Sequence, residues 1–346
     1  MTTIVGWDIG GVNVKVARLV WEQGAARSLQ VSSCPFEIWR AKDSLAEVLQ
    51  TALAQVSDAV PQVMAVTMTA ELSDVFVTKR EGVLYVLDTL LATFPRCASY
   101  ALDLSGRFTL LAEARTRPLD FAAANWLAAA LFVARSYPNC LLIDVGSTTT
   151  DIIPILEGRV ACQDRTDTGR LMSGELVYTG ALRTQLTALV HAVPVRGRLC
   201  PVSSEYFAIS GDVHLVLGHL RAEDYSCPTP DGRPPTIESA RQRLARLVCA
   251  DTEMLSAAEI DEMARYIYDR QLEQISAAIL QVRSRWADRA NLPVVAMGSG
   301  ASIAVEASRR LGLTALDLAA QWGREEAAVA PCVAAAQLLA GQIEAP

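Results

Sequence analysis

Two stretches of this chain share one pattern of apolar and polar positions. Gly6 to Ala17 reads G-W-D-I-G-G-V-N-V-K-V-A, and Leu142 to Ile153 reads L-I-D-V-G-S-T-T-T-D-I-I. In each, an apolar run ends in an acidic residue, a small-residue turn follows, and a second apolar run returns. The pattern predicts two β-hairpins. Elsewhere Leu45, Val48, Leu49 and Leu53 predict a helix over Ser44–Val56, and Gln62–Met68 reads as a strand ending in T-A-E-L-S-D. Further strands are expected around Val75 and over Val83–Leu87. Phe121–Arg135 is an Ala-rich helix that Ser136-Tyr-Pro-Asn ends. In the second half, helices are expected over Ala240–Val248, within Ala257–Ala287 (one long amphipathic helix, Ile260–Trp286) and over Ala301–Leu311. The chain between Pro194 and Pro235 reads as irregular, with Ser226–Pro235 a surface loop. From Pro331 an Ala-rich helix is expected to pack back on an earlier element.

The repeat carries the chemistry. Aligned, Asp8 matches Asp144, Gly10 matches Gly146, and Gly11, Val12 and Asn13 fall on Ser147, Thr148 and Thr149. Asp and Gly also serve ordinary hairpin turns. A hairpin of this composition, however, can lay backbone N–H groups and small hydroxyls around an anion, while its carboxylate holds a metal ion directly or through water. Two matched copies suggest two similar domains facing one another across a phosphate. Val294–Gly300, V-V-A-M-G-S-G, adds a strand running into a small-residue turn. There Gly298, Ser299 and Gly300 open a helix N-terminus, which favours negative charge.

Composition narrows the class. At 346 residues with 51% hydrophobic and 20% charged residues, the chain has room for two cored domains. These are expected at 1–135 and 136–330, with the 331–346 helix returning to the first. A net charge of −7 argues against general nucleic-acid or anionic-membrane binding. Eight scattered cysteines without a C-x-x-C pair, and no signal peptide, lead us to expect reduced thiols in the cytoplasm. Three histidines, none at ligand spacing to cysteine, make a zinc site unexpected. His214 and His219 lie five apart and read as structural. The longest apolar stretch, Phe121–Ala134, is too short to cross a bilayer and contains Asn125.

Phosphate hairpin, Ala-rich helix, second hairpin, then strand–Gly turn–helix: this order resembles the actin-like ATPase superfamily of sugar kinases, actin, heat-shock chaperones and hydantoinase/oxoprolinase proteins. The resemblance implies a two-domain α/β fold with a central cleft, one hairpin per domain, and a Gly turn of the kind that contacts adenosine. I-D-V-G-S-T-T-T-D-I looks most like the hydantoinase branch, with Gly146-Ser147 where Gly-Gly is typical. Val12 stands where Thr is usual in the first hairpin, removing a hydroxyl from the turn and counting against ordinary ATP chemistry. T-M-T-A-E-L-S-D (Thr67–Asp74), A-A-N-W (Ala123–Trp126) and S-G-E-L-V-Y-T-G-A-L-R-T (Ser173–Thr184) resemble the tetrahydromethanopterin-linked one-carbon-transfer family. Its archaeal members join an aminomethylfuran diphosphate to a glutamyl-tyramine during methanofuran biosynthesis.

That resemblance implies a transferase of small molecules, with Mg²⁺ at Asp8 and Asp144 and diphosphate as the leaving group. The phosphate-binding set is then Gly10, Gly11, Asn13, Lys15, Gly146, Ser147, Thr148, Thr149, Gly298, Ser299 and Gly300. Lys15 either neutralises phosphate or points to solvent. The acceptor phenol, with a pKa of roughly 10, needs a base. Glu71, directly after an apolar strand, is the candidate, against the alternative of a solvated turn carboxylate. Asn125 lies where actin-like proteins place a polar residue near the reacting group, or it is a capped core residue. Asp151 lines the cleft or ends the turn. Among Glu175, Tyr178 and Arg183, Arg183 would grip glutamyl carboxylates bidentately, or each is an ordinary charge or polar group on the surface. An ATP-dependent small-molecule kinase, and a nucleotide-gated partner protein, are the competing functions. ATP binding, a homodimer and the acceptor's identity stay open.

Overall fold

The computed structural model describes residues 1–59, 61–289 and 292–344. Both expected hairpins form. β1 (Thr2–Ile9) and β2 (Asn13–Glu22) pair antiparallel, with Asp8 opposite Lys15. With β3 (Ala25–Pro35), β4 (Val63–Met68), β5 (Ala98–Leu102) and β6 (Phe108–Leu110) they make a six-stranded sheet in the order β3-β2-β1-β4-β5-β6. β1, β4 and β5 run parallel, so helical crossovers join them: Leu45–Ala54 between β3 and β4, and Lys79–Thr93 between β4 and β5. The period of two in β1 divides its side chains between two cores. Val5, Trp7 and Ile9 face the crossover helices, while Ile4 packs with Ala65, Ala128 and Ala334–Ala336. Small residues let the helix Ala330–Glu344 approach closely; a Cβ on Gly6 would fall 1.9 Å from the Cys332 carbonyl oxygen.

The second hairpin is β7 (Cys140–Val145) and β8 (Thr150–Leu156), with the short β9 (Arg159–Val160) on β8. β10 (Leu176–Val177) lies beyond β8. β11 (Ala192–Val195) and β12 (Arg198–Pro201) form a separate ribbon. β13 (Val294–Met297) and β14 (Ala315–Asp317) run parallel to β7, completing the order β10-β8-β7-β13-β14. Behind this sheet the 27-residue helix Ala257–Arg283 buries Leu272, Ile275 and Ile279 against Leu141, Ile143 and Val294. Its start is fixed by a capping box in which the Ser256 hydroxyl and the Glu259 carboxylate bond each other's main-chain N–H groups. No helix among the described residues is long and apolar enough to cross a membrane.

The chain divides into two compact units. One comprises Met1–Cys140, Pro154–Asp167 and Ala319–Pro346, of which residues 345 and 346 lie outside the described residues; the other comprises Leu141–Ile153 and Thr168–Leu318. Residues 136–140, 154–167 and 319–330, grouped with the second domain on sequence alone, belong to the first unit. The cause is local. The β8–β9 turn bonds back to the end of the Ala-rich helix, with Gly158 N–H on the Pro138 carbonyl and Glu157 N–H on Asn139 Oδ1. Trp322 packs on Phe132 of that helix.

Several element expectations are corrected. Val83–Leu87 is part of the helix Lys79–Thr93, where Val83, Val86, Leu87 and Leu90 bury one face at helical spacing and Thr78 Oγ1 caps the Glu81 N–H. Val75 lies in a turn closed by Phe76 N–H on the Ser73 carbonyl. The Ala-rich helix starts at Asn125, because Phe121 closes a 3-10 turn and Ala123 adopts φ +50°. The long helix ends at Arg283; Trp286, with φ −132° and ψ 48°, has left helical geometry. The stretch read as irregular contains β12 and the helix Ser210–Val216.

Candidate active site

The two hairpin turns solve the same backbone problem in the same way. In the first, Gly10 N–H donates to the Asn13 carbonyl at 2.9 Å; in the second, Gly146 N–H donates to the Thr149 carbonyl at 2.9 Å. The carbonyls inside each turn are then taken by a neighbouring segment. Ile38 and Phe36 N–H groups bond Gly11 and Val12, while Ala181 N–H bonds Gly146 and Leu182 and Arg183 N–H groups bond Ser147. Among the described residues, the N–H groups of Gly11, Val12, Ser147 and Thr148 donate to no protein acceptor. With the Gly11, Val12, Gly146 and Ser147 carbonyls committed and these amides unpaired, each turn presents backbone donors suited to holding an anion. Both turns are half-buried.

Asp8, the penultimate residue of β1, is 4% exposed. Its carboxylate lies 3.7 Å from Lys15 Nζ, across the ladder, and accepts a 3.4 Å bond from Thr67 Oγ1. Lys15 therefore turns to Asp8 and not to solvent alone. Burial pushes the Asp8 carboxyl up from its ordinary range; Lys15, Thr67 and Asn125 pull the other way. Asn125 opens its helix beside Asp8, and its Oδ1 accepts the Trp126 N–H at 2.8 Å.

Glu71 sits in the 3-10 turn Ala70–Leu72 that follows β4, and it is 2% exposed. The alternative of a solvated carboxylate is thereby removed. Neither carboxylate oxygen has a hydrogen-bond partner at bonding geometry. Burial raises its pKa to about 7, against the weaker pull of the Glu71 and Ala123 amides and of Lys79, while Asp167 pushes it further up. Lys79 and Asp167 form a 2.7 Å ion pair. A buried, unpartnered carboxyl that titrates near neutrality is suited to proton transfer.

In the other unit, Asp144, the penultimate residue of β7, is half-buried and in parallel register with Met297. The Gly298–Gly300 turn presses on it. A Cβ on Gly298, which has φ +87°, would fall 2.3 Å from Asp144 Oδ1; one on Gly300 would fall 2.5 Å from Val145 Cγ1. These glycines permit strand–helix packing here, and Ser299 is exposed. Asp151 lies within β8, opposite Leu176, where the buried Arg170 bonds it at 2.5 Å in an ion pair. Glu175 is buried and accepts from Arg285 at 2.7 Å; Tyr178 is exposed. Arg183 is half-buried, its main chain tied to Ser147. His214 and His219 do meet, with Nδ1 atoms 3.4 Å apart, because the chain leaves its helix between them.

Sequence reasoning passed over Arg170, the Lys79–Asp167 pair, Gly82, Gly180 and Gln271. A Cβ on Gly180 would fall 2.6 Å from Gly146 O, Ser147 C and Thr148 N, so this glycine seats its segment on the turn. T-G-A-L-R-T carried a glycine signal for it; the others have none in local sequence. A shallow cavity of about 330 Å³, lined by His219, Tyr268 and Asp269 among others, touches none of the hairpin residues. Among the described residues, no three His, Cys, Asp or Glu side chains converge as a metal cage.

The duplicated hairpin sheets define an α/β protein of the actin-like ATPase fold. The hydantoinase/oxoprolinase family model matches residues 62–342, and the chain belongs to that family. The (4-{4-[2-(γ-L-glutamylamino)ethyl]phenoxymethyl}furan-2-yl)methanamine synthase of Methanocaldococcus jannaschii is 37% identical over 343 residues, spanning 99% of this chain and 98% of that protein. The synthase of the same name from Methanococcus vannielii is 35% identical over 211 residues, 60% of this chain and 93% of that protein. Among solved structures, nucleotide-free acetone carboxylase superposes with a TM-score of 0.58 at 10% identity, over 97% of this chain and 70% of that one. At that identity the likeness concerns fold alone.

Proposed function

We propose that this protein is a transferase of methanofuran-type cofactor biosynthesis that joins an aminomethylfuran diphosphate to the phenol of γ-glutamyl-tyramine. The observation that carries this reading is the 37% identity, over nearly the whole of both chains, to a synthase whose name describes a phenoxymethyl-furan. That product contains one aryl–alkyl ether. Making it forms a bond between the phenol oxygen and the furfuryl carbon, and breaks the bond from that carbon to diphosphate. The phenol proton goes to a base, and diphosphate leaves with the bonding pair.

The furan ring can share the positive charge that develops on the carbon, so the transition state is loose and much of the acceleration comes from stabilising the departing diphosphate. The unpaired turn amides are suited to that role, and Lys15 adds positive charge beside the first turn. Mg²⁺ typically takes one or two carboxylates and completes its shell with phosphate oxygens and water. Asp8 at the first hairpin and Asp144 at the second are each a carboxylate of the kind such an ion takes, whereas an all-protein cage has no counterpart among the described residues. When bound, the ion would neutralise charge on the leaving diphosphate. Glu71, ionised in about half of molecules near pH 7, takes the phenol proton as the new bond forms. Asn125, beside Asp8, favours the charged form of its carboxylate.

An ATP-dependent kinase is the competing reading, favoured by the Gly turn before the helix Ala301–Arg310. The close packing of Gly298 and Gly300 on Asp144 and Val145 explains those glycines without a nucleotide. Incubating the protein with Mg²⁺, γ-glutamyl-tyramine and aminomethylfuran diphosphate, without ATP, tests the proposal. A coupled ether detected by mass spectrometry is expected; coupling that requires ATP would refute it.

A further inference from the structure

The second hairpin turn is held from behind by a buried polar chain that the chemistry above does not use. Gln271, on the helix Ala257–Arg283, is 1% exposed. Its Nε2 lies 2.9 Å from the Gly180 carbonyl and 2.9 Å from Thr179 Oγ1, and its Oε1 lies 2.9 Å from His214 Nε2. The amide orientation follows from chemistry: a carbonyl only accepts, so Gln271 must turn its NH₂ to Gly180. His214 Nε2 must then carry a hydrogen and donate to Oε1. Neutral His214 has a bare Nδ1, which accepts from His219 Nδ1–H at 3.4 Å. A proton on His214 Nδ1 would set two N–H groups against each other, and burial already lowers its pKa to about 4. The tautomers of both histidines are therefore fixed by one glutamine.

Gly180 in turn lies against the backbone of Gly146, Ser147 and Thr148, with no room for a side chain. The three residues after it supply the N–H groups that hold the Gly146 and Ser147 carbonyls. Thr184 closes the segment, its Oγ1 accepting the Gly180 N–H at 2.9 Å and its own N–H donating to Ser210 Oγ at 3.1 Å. We infer that Gln271 is a positioning residue for the phosphate-binding turn: by fixing Gly180 it keeps the segment 180–183 on the turn's carbonyls and so leaves the Ser147 and Thr148 amides free for substrate diphosphate. The inference rests on reading that turn as a phosphate cradle.

The test compares wild type with Gln271→Leu, Gln271→Glu and the double variant Gln271→Leu/His214→Leu. The double variant removes both ends of the Gln271–His214 bond and so spares the helix an orphaned buried imidazole, while Gly180 stays unheld. Amide hydrogen exchange reads the 181–183 N–H groups, and titration with inorganic diphosphate and Mg²⁺ reads the turn. In all three variants the 181–183 amides should exchange faster, and diphosphate affinity should fall roughly tenfold or more. KM for the diphosphate substrate should rise more than kcat falls. Full recovery of both readouts in the double variant would show Gln271 to be merely structural and overturn the inference. Wild-type exchange rates in the variants, or faster exchange with unchanged diphosphate affinity, would overturn it too. A wild-type protein that binds no diphosphate would instead remove the phosphate reading of the turn, and the inference with it.

Discussion

Gly82 and Glu71 touch main chain to main chain: a Cβ on Gly82 would lie 2.6 Å from the Glu71 Cα and 2.8 Å from its carbonyl oxygen. The helix Lys79–Thr93 can press on the turn after β4 only because this position has no side chain. That contact keeps the Glu71 carboxyl out of water and its pKa high. Gly82→Ala should push the turn outward and let water reach the carboxylate, whose pKa then falls toward its ordinary value of 4.5. In a pH–rate profile the acidic limb, set near pH 7 in the wild type, should move to lower pH as maximal turnover drops. An unmoved limb would show that Glu71 does not set it.

Glu71→Gln should lower turnover by roughly a hundred- to ten-thousand-fold while diphosphate still binds, because the amide keeps the shape but takes no proton. It should also stabilise the protein at alkaline pH. The folded-state pKa of Glu71 is raised, so its burial is tolerated below pH 4.5 and becomes destabilising as pH rises through about 7. At pH 8 the variant should be more stable than wild type by up to about 3 kcal/mol, the scale of a shift of this size. Denaturant melts at pH 4.5 and pH 8 measure this; equal differences at both would contradict it.

Asp8→Asn and Asp144→Asn should each cost roughly a hundredfold or more in Mg²⁺-dependent turnover, by removing a carboxylate that the proposed mechanism assigns to the ion. The fold should survive both, and for Asp8 for a specific reason. Its pKa is raised by burial, so the neutral amide relieves a desolvated charge and leaves Lys15, partly exposed, without a partner. Thermal melts and kinetics on the same preparations decide it; loss of fold at normal specific activity would make either carboxylate structural.

Both hairpins were legible in the sequence because a duplicated D-x-G turn between apolar runs is a local, repeated signal, and β1–β2 and β7–β8 form where it places them. Glu71 could be singled out from its position after a strand, but not its burial, which depends on Gly82 eleven residues away. Val83–Leu87 was misread because five apolar-rich residues fit a strand and a buried helix turn equally well; the Thr78 cap and Leu90 settle the matter over a longer window. Arg170 on Asp151, Asp167 on Lys79 and Gln271 on Gly180 join residues 19, 88 and 91 positions apart. No local pattern encodes such pairs. The border between the units was misplaced for the same reason, since residues 154–167 leave one hairpin and pack on a helix formed earlier.

The most direct test of the proposed chemistry follows one oxygen atom. Aminomethylfuran diphosphate is prepared with ¹⁸O at the bridge between carbon and phosphorus and incubated with the protein, Mg²⁺ and γ-glutamyl-tyramine. If the phenol attacks the furfuryl carbon, the carbon–oxygen bond breaks, the label leaves in diphosphate as a ³¹P NMR isotope shift, and the ether product is unlabelled. If the bridging oxygen stays on the furan carbon, the bond broken is phosphorus–oxygen, and the protein is a phosphoryl-transfer enzyme and not an ether-forming transferase.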